Sequence, residues 1–262
     1  MRPSPTTHFP IRTDSPMLST ELLLVAIPAV LLTGLSKGGF GGAFGGIAVP
    51  LLALAVPPTQ AAAIMLPILC TADLVGLRAY YGKWDLANLK IMLPGALLGV
   101  LLGALTFGML DERIIALLIG GIAVAFVLLN LLRPPASTAG LPPARGKGTA
   151  LSTLAGFTSF VAHAGGPPVM MHLLPQQLDK VRYVATINVF FLLTNAVKLL
   201  PYALLGQFSS DNLLTSLALA PLVPLGVWAG LWLQNRVNHV WFYRIARAGL
   251  LLAGIQLIVQ NL

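Results

Sequence analysis

The chain has 262 residues, of which 56% are hydrophobic and only 9% are charged, and its mean hydropathy is +0.84. So much apolar surface with so few charges excludes a soluble domain of this length, and runs of about 20 apolar residues match a hydrocarbon core about 30 Å thick. The net charge of +8 comes from basic residues scattered singly between apolar runs, so it points to membrane topology and not to a nucleic-acid surface.

The composition therefore predicts an all-α polytopic membrane protein with the lipid bilayer as its solvent. An outer-membrane barrel would show short alternating segments instead. Residues 1–20 are polar and proline-rich, lack the order of a signal peptide, and read as a disordered N-terminal tail. Apolar segments then fall at 21–33, 47–56, 61–77, 91–109, 114–132, 149–162, 168–175, 184–205, 213–233 and 240–260. The pairs 21–33/47–56 and 149–162/168–175 are too short to span, and each is joined by Gly-rich sequence. Each pair reads as an interrupted or re-entrant helix, and the other six segments as full spans. The proline-rich, basic stretch 133–148 is the natural midpoint, separating a first transmembrane repeat (21–132) from a second (149–262).

The two halves share spacings. Pro94-x4-Gly99-x3-Gly103 recurs as Pro221-x4-Gly226-x3-Gly230. Gly45-Gly46 pairs with Gly165-Gly166, Gly82-x2-Asp85 with Gly206-x4-Asp211, and Asn130 with Asn261. The predicted architecture is two homologous four-element repeats, each opening with an interrupted helix pair. If both interrupted pairs are re-entrant, the repeats are inverted. Arg78, Lys83, Lys90, Arg133, Arg145, Lys147, Lys180, Arg182, Arg236, Arg244 and Arg247 then lie on the cytoplasmic side, with Arg2, Arg12 and Arg113 outside. Eight simple spans would divide the basic residues almost evenly, so the positive-inside rule favours the inverted arrangement.

Chemistry concentrates in the Gly-rich stretches. Gly34-Leu-Ser-Lys-Gly-Gly-Phe-Gly-Gly-Ala-Phe-Gly-Gly46 places Lys37 in apolar surroundings, where a charge at mid-bilayer costs about 2.5–3.5 kcal/mol. It reads as an unwound helix at a binding site, because broken backbone is tolerated in a membrane only where protein or a wet cavity satisfies it. The plainer alternative is close helix packing through small residues. The corresponding stretch of the second half is Gly156-Phe-Thr-Ser-Phe-Val-Ala-His-Ala-Gly-Gly-Pro-Pro168. Pro167 and Pro168 suit the first turn of a new half-helix, which would set the amides of Gly165 and Gly166 at a positive helix end that favours an anion. Ser36, Lys37, Gly38 and Gly39 from the first stretch, and Thr158, Ser159, His163, Gly165 and Gly166 from the second, are the candidate substrate-binding residues. Asn188 and Lys198 join them from 184–205, with Asn195 in the same run. Asp73 and His163 are candidate proton carriers. Lys198 and Asp73 also suggest a structural ion pair between the halves, and His172 reads as interfacial.

Soluble chemistries do not fit. The lysine precedes the glycines, so the stretch is no phosphate-binding loop. No His/Cys/carboxylate spacing suggests a metal, and no G-x-S-x-G elbow is present. The single cysteine, Cys70, allows no internal disulfide and argues against a thiol-redox carrier. The expectation is a non-enzyme without cofactor or nucleic-acid partner, and homo-oligomer formation is left open.

Gly34-x-x-Lys37-Gly38-Gly39-x-Gly41-Gly42, Val49-Pro50-Leu51-Leu52, the Pro67…Asp73 span, Tyr81-Gly82-Lys83-Trp84-Asp85 and Pro94-x4-Gly99-x3-Gly103 together resemble the TauE/SafE family of sulfite and organosulfonate exporters. The likeness runs from about residue 22 to 260 and is looser in the second half, where Ala162-His163-Ala164-Gly165-Gly166-Pro167-Pro168 replaces the family's glycine-rich copy. The resemblance implies a duplicated transporter of the bacterial inner membrane that moves a small sulfur-containing anion, with binding residues in the two Gly-rich segments. Alternating access about a site between the two interrupted elements is the expected mechanism. The alternatives are a membrane scaffold or assembly subunit, and an anion channel.

Overall fold

In a computed structural model of the chain, residues 19–42, 46, 48–107, 111, 113, 117, 120, 121, 123–125, 127, 128, 131 and 140–262 are described, and all regular structure among them is helical. The elements are α1 (Thr20–Gly39), α2 (Ala48–Leu52), α3 (Pro58–Ala79), α4 (Leu86–Leu105), α5 (Arg145–Ala162), α6 (Gly166–Leu173), α7 (Lys180–Leu204), α8 (Ser210–Leu219), α9 (Leu222–Arg236) and α10 (His239–Val259), with one 3-10 turn at Leu174–Gln176. Side-chain oxygens start five of them. Ser19, Asp85, Asp179, Ser209 and Asn238 each accept from backbone N–H groups that the first helical turn leaves without partners.

Among the described residues, α1, α3, α4 and α7 are each long and apolar enough to cross a membrane, and α8 and α9 together make a fifth candidate. The chain is a multi-pass membrane protein. Several boundaries differ from the sequence reading. Segment 21–33 is not too short to span, because α1 continues through Gly34-Leu-Ser-Lys-Gly-Gly39 to a length of 20 residues, about 30 Å. Its companion 47–56 contracts to the five residues of α2. Segment 213–233 is not one straight span but α8 and α9, bent by 44° at Pro221, whose ring and missing N–H interrupt a helix. Helix α5 begins at Arg145, inside the expected linker. The tail 1–18, most of segment 114–132 and Asn130 lie outside the described residues.

Two helix crossings hold the bundle together, and each joins the halves of the chain: α1 packs on α9, and α4 packs on α5. Both rely on glycine. A Cβ at Gly34 would lie 2.8 Å from the Gly226 Cα, and one at Gly103 would lie 2.8 Å from the Phe160 Cβ. Methyls at Gly38, Gly99 and Gly156 would overlap the carbonyl oxygens of Val227, Thr153 and Ala96. Close backbone approach of this kind replaces the hydrophobic driving force that lipid cannot supply. The recurring Gly99/Gly103 and Gly226/Gly230 spacing is therefore the contact face of α4 and of α9. Between the crossings, α3 packs on α7, and Ile64, Met65, Tyr183 and Phe190 are fully buried there.

Contacts recur along the chain as well. The Tyr80 hydroxyl donates to the Gly38 carbonyl, and the Tyr202 hydroxyl donates to the Phe160 carbonyl at 2.8 Å. Both partners of the second contact lie 122 residues after those of the first (80 to 202, 38 to 160). Gly82 and Gly206 both take a positive φ, at 73° and 68°. Each is followed three residues later by the N-cap of the next helix, Asp85 or Ser209. Gly82-x2-Asp85 thus matches Gly206-x2-Ser209, and not the expected Gly206-x4-Asp211.

Candidate functional site

Helices α1 and α5 both end inside the protein, where the last carbonyls of a helix have no intrahelical donor. Side chains of α3 and α7 serve them. On α1, the Ser36 carbonyl accepts from the amides of Phe40 (2.9 Å) and Gly42 (3.1 Å). The Lys37 carbonyl accepts from Asn188 Nδ2 at 3.1 Å, and the Gly38 carbonyl from Tyr80. On α5, the Thr158 carbonyl accepts from the Ala164 amide at 3.2 Å, the Ser159 carbonyl from Lys198 Nζ at 2.6 Å, and the Phe160 carbonyl from Tyr202. The chain leaves α1 through Gly41 and Gly42, with φ of 58° and 82°, and leaves α5 through His163, with φ of 51°. That left-handed conformation is open to glycine and less hostile to histidine than to bulky side chains. Pro167 and Pro168 then lie in the first turn of α6, as their restricted φ predicts.

A narrow cavity of about 20 Å³ lies where the two breaks meet, with room for about one water. Gly42 and Gly46 line it from the first break, Ser159, His163 and Gly166 from the second, and Lys37, Leu69, Phe191 and Asn195 complete it. A chain of buried polar groups runs around this cavity. Lys37 Nζ is 2.6 Å from Asp73 Oδ1 and 4.2 Å from the centre of the Phe191 ring, a cation–π contact. Asn195 Nδ2 donates to Asp73 Oδ2 at 2.8 Å. Lys198 Nζ donates to Asn195 Oδ1 (3.2 Å), to the Ser159 carbonyl, to Ser159 Oγ (3.1 Å) and to His163 Nδ1 (2.8 Å). His163 Nε2 lies 3.0 Å from the Ala62 carbonyl, which can only accept, so Nε2 carries the proton and Nδ1 the lone pair. Asp73 and Lys198 are fully buried, and Lys37 is 3% exposed.

The expected pairing of Lys198 with Asp73 does not form. Asp73 bonds Lys37, its neighbour within the first half, because the last turn of α1 brings that ammonium beside α3. Asn195 stands between Asp73 and Lys198 and bonds both. Among the described residues Lys198 has no carboxylate within salt-bridge distance; the ion pairs there are Lys37–Asp73 and Arg182–Asp85.

The predicted site residues divide into three groups. Lys37, Ser159, His163 and Gly166 line the cavity. Asp73 and Lys198 stand behind it, each bonded to residues that do. Gly38 and Gly39, expected among the substrate-binding residues, are the last residues of α1, where N–H groups are used inside the helix, and their missing side chains admit α9. Ser36 and Thr158 are buried in the last turns before the breaks; Thr158 Oγ1 lies 3.2 Å from the Ala164 carbonyl. Gly165 caps α6, its Cα facing Ser159 and Phe191. Asn188 holds the end of α1 and does not line the cavity. His172, expected at the membrane interface, is buried within the protein, with Nε2 2.9 Å from Asn88 Oδ1. Cys70 packs beside Leu66, Val100, Phe160 and Tyr202.

Sequence reasoning left Asn195 out of the binding set and missed Phe191. Asn195 carried a signal, being a polar residue three positions before Lys198. Phe191 is four before Asn195, hence on the same helix face, but an aromatic in an apolar span carries no mark of its own.

The family profile described as sulfite exporter TauE/SafE matches residues 26–257 of the chain. Comparison with curated proteins and with solved structures gave no match.

Proposed function

The chain belongs to the sulfite exporter TauE/SafE family, and from that premise we propose that it is a secondary transporter of a small sulfur-containing anion of the sulfite, sulfonate or sulfoacetate type. The observation that carries this reading is the cavity at the junction of the two helix breaks, fronted by Lys37 and backed by Lys198, a buried cation with no carboxylate partner among the described residues. A buried charge without a partner is costly, and an anion entering the cavity supplies one. The amide end of α6 at Gly166 faces the same space and adds favourable potential for an anion.

The cavity of about 20 Å³ is smaller than any oxyanion of sulfur, so binding requires its walls to part. We place the mechanism in the alternating-access class, with Gly42 and Gly166, where a Cβ added to Gly166 would lie 3.2 Å from the Gly42 carbonyl oxygen, as the seam that opens. Inverted repeats in the bacterial inner membrane fit this mechanism, and the paired contacts at 80/38 and 202/160 support a duplicated origin. Outward movement of an anion is assisted by an inside-negative potential at about 2.3 kcal/mol per charge per 100 mV, so export needs no coupled ion. Asp73 and His163 are the groups that would carry a proton in the uptake direction.

Ligand-dependent thermal stabilisation of the purified protein tests the substrate class, since a ligand that binds the folded state raises apparent stability. Sulfite or a sulfonate raises the melting temperature and carboxylates do not. A response confined to a solute without a sulfur oxyanion overturns the class. A reporter fused after Leu262 tests the topology: a periplasmic position is expected, and a cytoplasmic one rejects the inverted arrangement.

A further inference from the structure

Given the transporter reading above, the charge of the transported species follows from the sum of the buried chain. Lys37 and Asp73 cancel at 2.6 Å. Asp73 Oδ2 takes a proton donor from Asn195, which fixes the Asn195 amide and turns its Oδ1 toward Lys198. His163 presents the Nδ1 lone pair to the same ammonium, because its Nε2 proton is committed to Ala62. Of its four contacts, Lys198 Nζ thus faces three groups that only accept, the Ser159 carbonyl, Asn195 Oδ1 and His163 Nδ1, and one hydroxyl, Ser159 Oγ, that can donate or accept and so adds nothing to the count. A neutral amine has two N–H groups and an ammonium three. Moving one proton onto His163 Nδ1 leaves the same total, since the amine then accepts that bond and donates the other two. In both descriptions the Lys198–His163 pair holds one proton in excess. Among the described residues the one other buried Lys, Arg, Asp, Glu or His side chain, His172, bonds Asn88 and stands outside this chain of contacts.

Lys37, Asp73 and the Lys198–His163 pair therefore sum to one positive charge around the cavity. A ligand with one negative charge neutralises it. A dianion replaces one uncompensated buried charge by another of opposite sign, and a neutral molecule leaves the original one in place; both are costly in a low-dielectric site. We propose that the transported species is a sulfur oxyanion of charge −1, namely hydrogensulfite or a sulfonate with no second acidic group. The sulfite dianion, sulfate and sulfonates that also carry a carboxylate, sulfoacetate among them, are disfavoured.

Methanesulfonate, sulfate and dimethyl sulfone test this, because all three place four substituents around sulfur at similar size and differ in charge. Their affinities for the purified protein are read by ligand-dependent shifts of the melting temperature. Methanesulfonate should bind more tightly than either of the others by about tenfold or more, as expected of one unit of charge mismatch in a buried site. Asp73→Asn raises the charge by one and should reverse the order of methanesulfonate and sulfate. Lys198→Gln lowers it by one and should remove the preference for methanesulfonate over the sulfone. Should Asp73→Asn fail to fold, Lys198→Gln carries the test by itself, because removal of the excess charge must bring methanesulfonate down to the affinity of the sulfone. Sulfate binding best to the wild type, or Lys198→Gln keeping a preference for methanesulfonate over the sulfone, overturns the charge assignment while leaving an anion transporter in place. Binding of neither anion overturns the transporter reading as well.

Discussion

The two helix breaks solve one structural problem with different chemistry. Each ends a long helix inside the protein, and each has a tyrosine from further along the chain resting on a terminal carbonyl, Tyr80 at the end of α3 on Gly38 and Tyr202 of α7 on Phe160. Beyond that shared frame they part. The first break turns on Gly41 and Gly42 and carries a closed ion pair, Lys37 with Asp73. The second turns on His163 and is braced by Lys198, which bonds only neutral groups. Equivalent backbone geometry thus supports one neutralised element and one that keeps its positive charge. The shared frame belongs to the fold, and the asymmetry of charge is the feature on which the proposed anion site rests.

Substitutions at the two cations should separate these roles. Removing either partner of the first pair alone, by Lys37→Met or Asp73→Asn, leaves a charge buried without its counter-ion and should cost about 3–5 kcal/mol of stability. Lys37→Met/Asp73→Leu should recover most of that loss in a double-mutant cycle read by thermal unfolding. Full additivity of the two single losses would show that the pair is not the closed unit described. Lys198→Met behaves differently, because it deletes an unmatched charge and strands only neutral acceptors. Its stability cost should be about 1–3 kcal/mol, while anion-dependent stabilisation and flux in proteoliposomes vanish. A stability loss as large as that of Lys37→Met, with anion binding retained, would erase the distinction between the breaks.

The two crossings offer a finer comparison. Gly38→Ala against α9 and Gly156→Ala against α4 each force a methyl into opposing backbone and should cost about 1–3 kcal/mol, equally in both halves, as measured by melting temperature. A large difference would show that one crossing carries the bundle. The smallest effect is expected at the second break. His163→Asn retains the left-handed preference and an acceptor for Lys198, whereas His163→Ala retains neither, so the former should be the more stable by about 1 kcal/mol. Equal stability of the two would mean that neither backbone strain nor the bond to Lys198 matters at that position.

Family, helical class and the meeting of the two Gly-rich stretches at one cavity were legible in the residues, because Gly34-x-x-Lys37-Gly38-Gly39 and the paired Pro-x4-Gly-x3-Gly spacings are local patterns. The end of α1 was not. Glycine marks both a helix break and a helix contact, and only the presence of Val227 and Gly230 opposite Gly38 and Gly39 shows that these two belong to a contact, with the break deferred to Gly41. The partner of Asp73 was equally hidden. Lys37 and Lys198 are both lysines in apolar sequence, and choosing between them requires a distance. The spacing of Asn188 and Asn195 placed both on one side of α7, yet one reaches the end of α1 and the other the cavity, a separation set by depth along the helix.

The glycine-lined crossings also decide what can move. Helices α1 and α9 touch backbone to backbone, as do α4 and α5, and such interlocked surfaces slide only if they first separate. Each crossing therefore travels as one stiff blade, made of one helix from the early part of the chain and one from the late part. In the alternating-access mechanism proposed above, the bodies that rock against each other would then be not the two halves of the sequence but two composite blades, meeting where Gly41, Gly42 and His163 end α1 and α5. Severing the chain between its halves would thus cut neither blade free, since each is already held together across the cut.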